Sequence, residues 1–300
     1  MRTFTAAFAT VCFMHSGMAW AEKATPNNVF QVTEQIVQEL QALNAENFSK
    51  SRQLTVPKDP TKPRHVLFLI RDQWRKVQLL RYMNGLDTHS LPPETVHAVT
   101  PSEVKTQADR LLIEVQELRS AYGLSPSEIK VALPKGKTPT DVYGSLLRIS
   151  AELDALGVPS TVPNDVYRVA ASVVENLEVL AQQADVAVNR DAVPKSKGRT
   201  PADAYSAGLD LIEAMNGLAA NVERYNVDGG IIAPAAVNGP KSPADVIVVL
   251  SRAQADAMAL LNTAKAGKEV QSAPYEGGKT PSDVYDSIVY ARLLIEALAS

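Results

Sequence analysis

One short signal recurs along this chain and constrains its fold more than any other feature: a hydroxyl residue, a proline, and an acid two residues beyond the proline. Complete copies are Thr100-Pro101-Ser102-Glu103, Thr138-Pro139-Thr140-Asp141, Thr200-Pro201-Ala202-Asp203, Ser242-Pro243-Ala244-Asp245 and Thr280-Pro281-Ser282-Asp283. Thr25-Pro26-Asn27-Asn28 belongs with them, and Lys62-Pro63-Arg64-His65 and Val162-Pro163-Asn164-Asp165 are weaker relatives. At a helix N-terminus the hydroxyl accepts an otherwise unpaired backbone N–H, and proline fills the first helical position without wasting a donor. The acid bonds back to the cap residue and faces the positive end of the helix dipole. Eight helices are therefore expected, one from each proline. The starts at Pro63 and Pro163 lack the cap hydroxyl, and the first also lacks the acid, so these two are expected to fray most easily.

Counted from each proline, residues at +3, +7, +10, +14 and +17 form an apolar stripe of the kind that faces the interior of a helical bundle. The last position is always leucine: Leu43, Leu80, Leu118, Leu156, Leu180, Leu218, Leu260 and Leu298. Small residues at +7, such as Ala108, Ala170 and Gly208, permit close approach between helices. Successive prolines are 37, 38, 38, 24, 38, 42 and 38 residues apart. The short interval divides the series, and the expected fold is all-α: two tandem four-helix units, residues 22–158 and 159–300, joined by a turn at 157–162 and related as by duplication. A continuous solenoid of eight units is the alternative. The long connections at 125–137, 185–199, 229–241 and 269–279 are each long enough to run back along a helix, which would make successive helices parallel. Wandering surface loops between antiparallel helices would satisfy the same lengths, and short strands over the bundle suit either case.

The first 21 residues read as a secretory signal peptide. Arg2 is followed by a short apolar run, and Ala19-Trp20-Ala21 offers small residues for cleavage after Ala21. Cleavage would remove Cys12, the only cysteine, and move the formal charge from -3 to -4. The expected product is exported across the inner membrane, into the periplasm of a Gram-negative cell, with no disulfide, thiol nucleophile or later transmembrane segment. A near balance of charge gives no field for nucleic acid.

A search for chemistry finds little. Gly136-Lys137-Thr138 and Gly278-Lys279-Thr280 lack the upstream glycine of a phosphate loop. His65, His89 and His97 offer no helical ligand pair, and convergence with Asp87 or Glu94 would be needed for a metal. Glu39 with Glu34, and Glu114 with Glu117, read as solvent-facing helix residues rather than a catalytic carboxylate pair. No cofactor is expected.

Two groups of residues stand out as contacts. Lys135, Lys137, Lys195, Lys197, Arg199, Lys241 and Lys279 recur just before helix starts, where dipoles also favour anions. Arg71, Trp74 and Arg75 make a basic aromatic face in the second helix. Phe30, Tyr143, Tyr167, Tyr205 and Tyr285 share the +4 register and are expected to seal the bundle end, or alternatively to line a ligand or peptide groove. The expected function is a non-enzymatic exported scaffold or binding module that recognises an envelope protein or polymer. A small-molecule or anion carrier or sensor is the second reading, and a metal-dependent hydrolase the third.

Overall fold

The computed structural model describes residues 23–52 and 59–300, so the expected signal peptide lies outside the described residues. The described residues are all-α, with eight α-helices: α1 (Pro26–Glu46), α2 (Pro63–Met83), α3 (Pro101–Glu117), α4 (Pro139–Ala155), α5 (Pro163–Gln183), α6 (Pro201–Asn221), α7 (Pro243–Ala264) and α8 (Pro281–Ala299). Each begins at its proline. Among the described residues there is no strand, and a single antiparallel bridge joins Thr95 to Glu269. Three connections carry short 3-10 turns, at Leu118–Tyr122, Arg190–Ala192 and Glu223–Tyr225.

The caps show how the weaker starts are held. The Asp283 carboxylate accepts from both the Thr280 backbone N–H and hydroxyl, at 2.8 and 2.6 Å. In α2 the His65 ring takes over the missing acid's duty: its Nδ1 accepts the Lys62 backbone N–H at 3.2 Å. In α5, Asp165 accepts from the Val162 backbone N–H at 3.0 Å, although the cap hydroxyl is absent. Half of the reciprocal pair survives at each weak start.

The stripe is buried throughout. All eight +17 leucines are 0–7% exposed, and the +3 and +14 positions are buried on every helix. The residue just before +14 departs from the sequence reading. Glu39 and Glu114, expected to face solvent, are 0% and 7% exposed, Glu39 pairing with Arg119 at 2.8 Å and Glu114 with Arg81 at 3.0 Å. Glu152, in the equivalent place on α4, accepts from buried Asn44 at 2.8 Å. On these three helices the +13 carboxylate faces a neighbouring helix or connection and meets a polar partner there, as burial requires of any charged side chain.

Packing follows one ring order twice. Helix α1 packs on α3 and α4, and α2 on the same two; α5 packs on α7 and α8, and α6 on the same two. Pro163, Pro201, Pro243 and Pro281 surround one small apolar space with Val166, Ala204, Val246 and Val284, so these four helices start at one end and run parallel. The backbone N–H two residues before one proline meets the side chain just after a neighbouring proline. Lys137 donates to Asn27 at 2.8 Å, Lys279 to Asn164 at 2.7 Å, Arg199 to Ser282 at 3.1 Å and Thr61 to Thr140 at 3.1 Å. These four bonds tie helix starts together in both sets.

Parallel neighbours need connections that return along the bundle. The segment before α4 does so beside α1, where Gln35 and Gln31 donate to the carbonyls of Ile129 and Val131. The segment before α8 does so beside α5, where Asn176 accepts the Gln271 N–H and Ser172 accepts the Ala273 N–H, both at 2.9 Å. Close approach also appears as expected at Gly208: a Cβ there would lie 2.8 Å from Val249 Cγ1.

The two sets meet mainly through α2 and α7. Arg64, in the first turn of α2, bonds Asp256 late in α7 at 2.7 Å, while Lys76, late in α2, lines the same cavity as Asp245 in the first turn of α7. These two helices therefore run in opposite directions. Phe68, Ala255, Met258 and Val270 form a small apolar cluster on the seam, and the Val96–Lys268 and Val270–Glu94 backbone bonds join two connections across it.

Candidate functional site

Among the described residues the seam carries three concave sites; two of them gather several charged side chains from the middle of α2 and α7. The first is a cleft of about 390 Å³ whose lining includes Arg71, Trp74 and Arg75 from α2, Arg168 from α5, and Glu94 and Gln271 from connections. Residues at +8 and +12 of α2 project here because they lie one turn apart on the face beside the buried stripe. Arg71 is anchored: it donates to Glu94 at 3.1 Å and to the Pro92 carbonyl at 2.6 Å. Partial burial works against its charge and shifts its pKa downward, against the pull of Glu94.

Arg75 is held loosely, 3.6 Å from both Asp72 and Asp165, and its buried Nε has no hydrogen-bond partner. Arg168 has no carboxylate within 4.0 Å among the described residues. Its pKa is pushed down first by desolvation and then by the neighbouring charge of Arg75. Guanidinium groups keep their protons nonetheless, so two adjacent cations stand in a partly dry cleft with incomplete compensation. Trp74 is only 8% exposed and its indole N–H donates to the His89 carbonyl at 2.9 Å. It fixes the wall of the cleft rather than presenting an open aromatic face.

The second site is a cavity of about 150 Å³ on the same seam, lined by Gln73 and Lys76 of α2, Tyr143 and Leu147 of α4, and Ile247 and Arg252 of α7. Gln73 occupies +10, where the other seven helices carry Ile36, Leu111, Ile149, Val173, Leu211, Ala253 and Ala291. Its Oε1 is buried without a partner. Burial pushes the Tyr143 phenol well above its ordinary pKa, opposed by the charge of Arg252, so it stays a protonated donor.

Towards the start of α2 the seam holds an ionic cluster. Asp256 is 0% exposed and receives Arg64 Nε at 2.7 Å and His65 Nε2 at 2.9 Å. Because His65 Nδ1 accepts the Lys62 N–H, its proton belongs on Nε2, facing Asp256. Desolvation lowers the His65 pKa despite the attraction of Asp256, with the charges of Arg252 and Arg64 adding to the lowering. Asp256 is also held below its ordinary value: burial opposes ionisation, but His65 and Arg64 overcome it.

The cations preceding helix starts have a different destiny from a common rim. Each of four sits over the +4 ring of a neighbouring helix: Lys137 over Phe30 at 4.2 Å, Arg199 over Tyr285 at 4.1 Å, Lys241 over Tyr205 at 4.7 Å and Lys279 over Tyr167 at 4.0 Å. Cation and ring thus seal adjacent starts. Lys135, Lys195 and Lys197 are exposed. Of these seven, Lys241 alone lines a seam site.

The three histidines do not converge. His65 faces Asp256, His89 faces Glu114 at 2.9 Å, and His97 faces Glu103 at 2.8 Å. Among the described residues no cluster of three or more His, Cys, Asp or Glu side chains is arranged to hold a metal, and no helix is long and apolar enough to cross a membrane.

Sequence reasoning singled out Arg71, Trp74 and Arg75 but missed Arg168, Gln73, Arg252 and Asp256. Gln73 had a readable signal, a lone amide in an otherwise apolar layer. Arg168, Arg252 and Asp256 had none, since their partners lie across the seam. Comparison with protein-family models, with curated proteins and with solved structures finds no match.

Proposed function

We propose that this is an exported, non-enzymatic binding module: two tandem four-helix units, 22–158 and 159–300, related by duplication, whose seam holds an acidic group of an envelope protein or polymer. The observation that carries this reading is the pairing of Arg75 and Arg168 in the cleft, two neighbouring guanidinium groups from different units that share Asp72 and Asp165, each 3.6 Å from Arg75 and neither within 4.0 Å of Arg168. Planar forked donors suit carboxylate or phosphate groups on a chain, and Arg71 adds a third, already oriented. The repeated ring order of packing and the equivalent return of two connections support the duplication. A short apolar run with Ala19-Trp20-Ala21 supports export with cleavage after Ala21, to the periplasm in a Gram-negative cell.

The test is retention of envelope extract, separated into protein and polymer fractions, on the immobilised protein and on the Arg75→Gln/Arg168→Gln variant. Salt-sensitive retention by the wild type and its loss in the variant are expected. Equal retention by both would refute the cleft as the binding surface. Mass spectrometry of the exported protein should give a chain beginning at Glu22, and a chain that keeps residues 1–21 would refute processing there.

A further inference from the structure

A ring of four helices has four outer grooves, and each set has three return connections to lay over them. In the second set the segment before α6 follows α8 on the side of α5, where Tyr290 lies beside Glu178 and donates to the Val188 carbonyl at 3.3 Å. The 3-10 turn Glu223–Tyr225, before α7, packs on both α6 and α7. The segment before α8 follows α5 and reaches Met258 of α7 through Val270. The groove between α6 and α8, of about 390 Å³, is left: only Arg199, at its starting end, comes from a connection, and the rest of its lining belongs to the two helices.

The corresponding groove of the first set lies between α2 and α4, and there α7 covers it. Val248 of α7 packs on the first set's core, its carbonyl 3.5 Å from the Tyr143 hydroxyl of α4, and Asp256 bonds Arg64 of α2. The residues that face α7 sit at the same offsets as those left open in the second set. Asp72, at +9 of α2, corresponds to Asp210 of α6. Tyr143, Leu147 and Ser150, at +4, +8 and +11 of α4, correspond to Tyr285, Val289 and Arg292 of α8. One copy of this groove is therefore filled within the chain, and the other faces solvent.

The helix that fills it is the third of its set, and the third helix of the first set turns the same face outward. Arg252 and Ala255, at +9 and +12 of α7, are 3% and 0% exposed at the seam. At those offsets α3 carries Arg110 and Ile113, both exposed, with Ile113 at 54%. Arg110 has no carboxylate within 4.0 Å among the described residues, its neighbour Asp109 being taken by Lys105 at 2.8 Å.

We infer that the α6–α8 groove receives α3 of a second copy of this chain, in the antiparallel setting that α7 takes on α2. Offsets +1 and +13 meet in that setting, as Arg64 meets Asp256. The same register sets Ile113 over Ala202, Arg110 between Asp203 and Asp210, and Glu103 near Arg292, so apolar meets apolar and each charge meets its opposite. Each chain offers one groove and one helix, and the two surfaces are different patches. The inference rests on the packing order and register that the two sets share, and not on the arginine cleft.

Sedimentation velocity of the purified chain, as a concentration series up to about 200 μM, tests it. Association that grows with concentration is expected, in the range of a weak interface between the micromolar and millimolar limits. Ile113→Glu spoils the helix face and Ser206→Trp blocks the groove; both positions are exposed, so neither change enters the core. Each variant alone should associate at least about tenfold more weakly than the wild type. Their equimolar mixture should form a one-to-one dimer and nothing larger, because each chain lends the surface that the other lacks. The Arg75→Gln/Arg168→Gln variant should associate as the wild type does, which separates this contact from the cleft. A wild type that stays monomeric at about 200 μM, either variant associating as tightly as the wild type, a mixture that stays monomeric or grows past the dimer, or loss of association in the cleft variant would each overturn the inference.

Discussion

Along the axis of each set of four helices, the +3, +14 and +17 positions are hydrocarbon, and every one is buried. Along the seam between the sets the buried residues include Arg64, His65, Gln73, Arg252 and Asp256. The first environment comes from repeating one helix pattern, so each copy needs only to be oily on the same side. The second forms where α2 meets α7 in the opposite direction, and there α2 carries Gln73 at +10, the one position of that layer that is not apolar. The seam is therefore polar where the axes of the two sets are hydrocarbon.

The contrast can be broken at four points. Leu118→Ala or Leu260→Ala, each at a fully buried +17 position, should cost about 3–5 kcal/mol in urea unfolding, because the cavity left behind adds to the lost transfer energy. A loss below about 1 kcal/mol would mean the axis is not the packed core described above. Asp256→Ala should cost about 3 kcal/mol by leaving Arg64 and His65 buried and uncompensated, whereas replacing all three by apolar residues should recover most of that loss. If the single and triple variants were equally unstable, the cluster would be indispensable to the seam rather than costly within it.

Gly208→Ala should cost about 1–2 kcal/mol, since the new methyl must displace the Val249 side chain. Gly217, on the same helix, has open space at its Cβ position and should tolerate alanine. The smallest effect is the pH dependence. His65 has its pKa lowered from 6.5 in the folded protein, so the unfolded chain binds the proton more readily. Stability from this group is complete above pH 6.5 and falls as pH drops through the window below it. Asp256, lowered from 3.8, adds a further loss below pH 3.8. Unfolding followed from pH 7 to 5 should show the decline in the wild type and a flatter profile in His65→Asn.

Much of the fold was legible because its determinants are local. A cap, a proline and an acid lie within four residues, and the stripe lies within one helix, so eight starts and their buried faces follow from neighbouring letters. Helix direction was half legible: connection length allowed the parallel arrangement, but the deciding bonds, such as Gln31 to Val131 and Asn176 to Gln271, span about a hundred positions. The buried acids Glu39 and Glu114 were misread because +13 borders the stripe and a carboxylate there resembles an exposed flank, while Arg119 and Arg81 stand far off in sequence. Trp74 was found but assigned too open a role, since nothing nearby announces that His89 will take its indole N–H. Lys137, Arg199, Lys241 and Lys279 were recognised as a series, yet their rings belong to other helices. The site was least legible because Arg168, Arg252 and Asp256 acquire meaning only across the seam.

All of this depends on helix starts lying together at one end of each set. The direct measurement is the distance between nitroxide labels at Thr25 and Ser102, at the starts of neighbouring α1 and α3, by double electron–electron resonance. Parallel neighbours spaced about 10 Å apart predict a label separation below about 25 Å. A separation beyond about 30 Å, the length of a 20-residue helix, would place the two starts at opposite ends and contradict the architecture from which the seam follows.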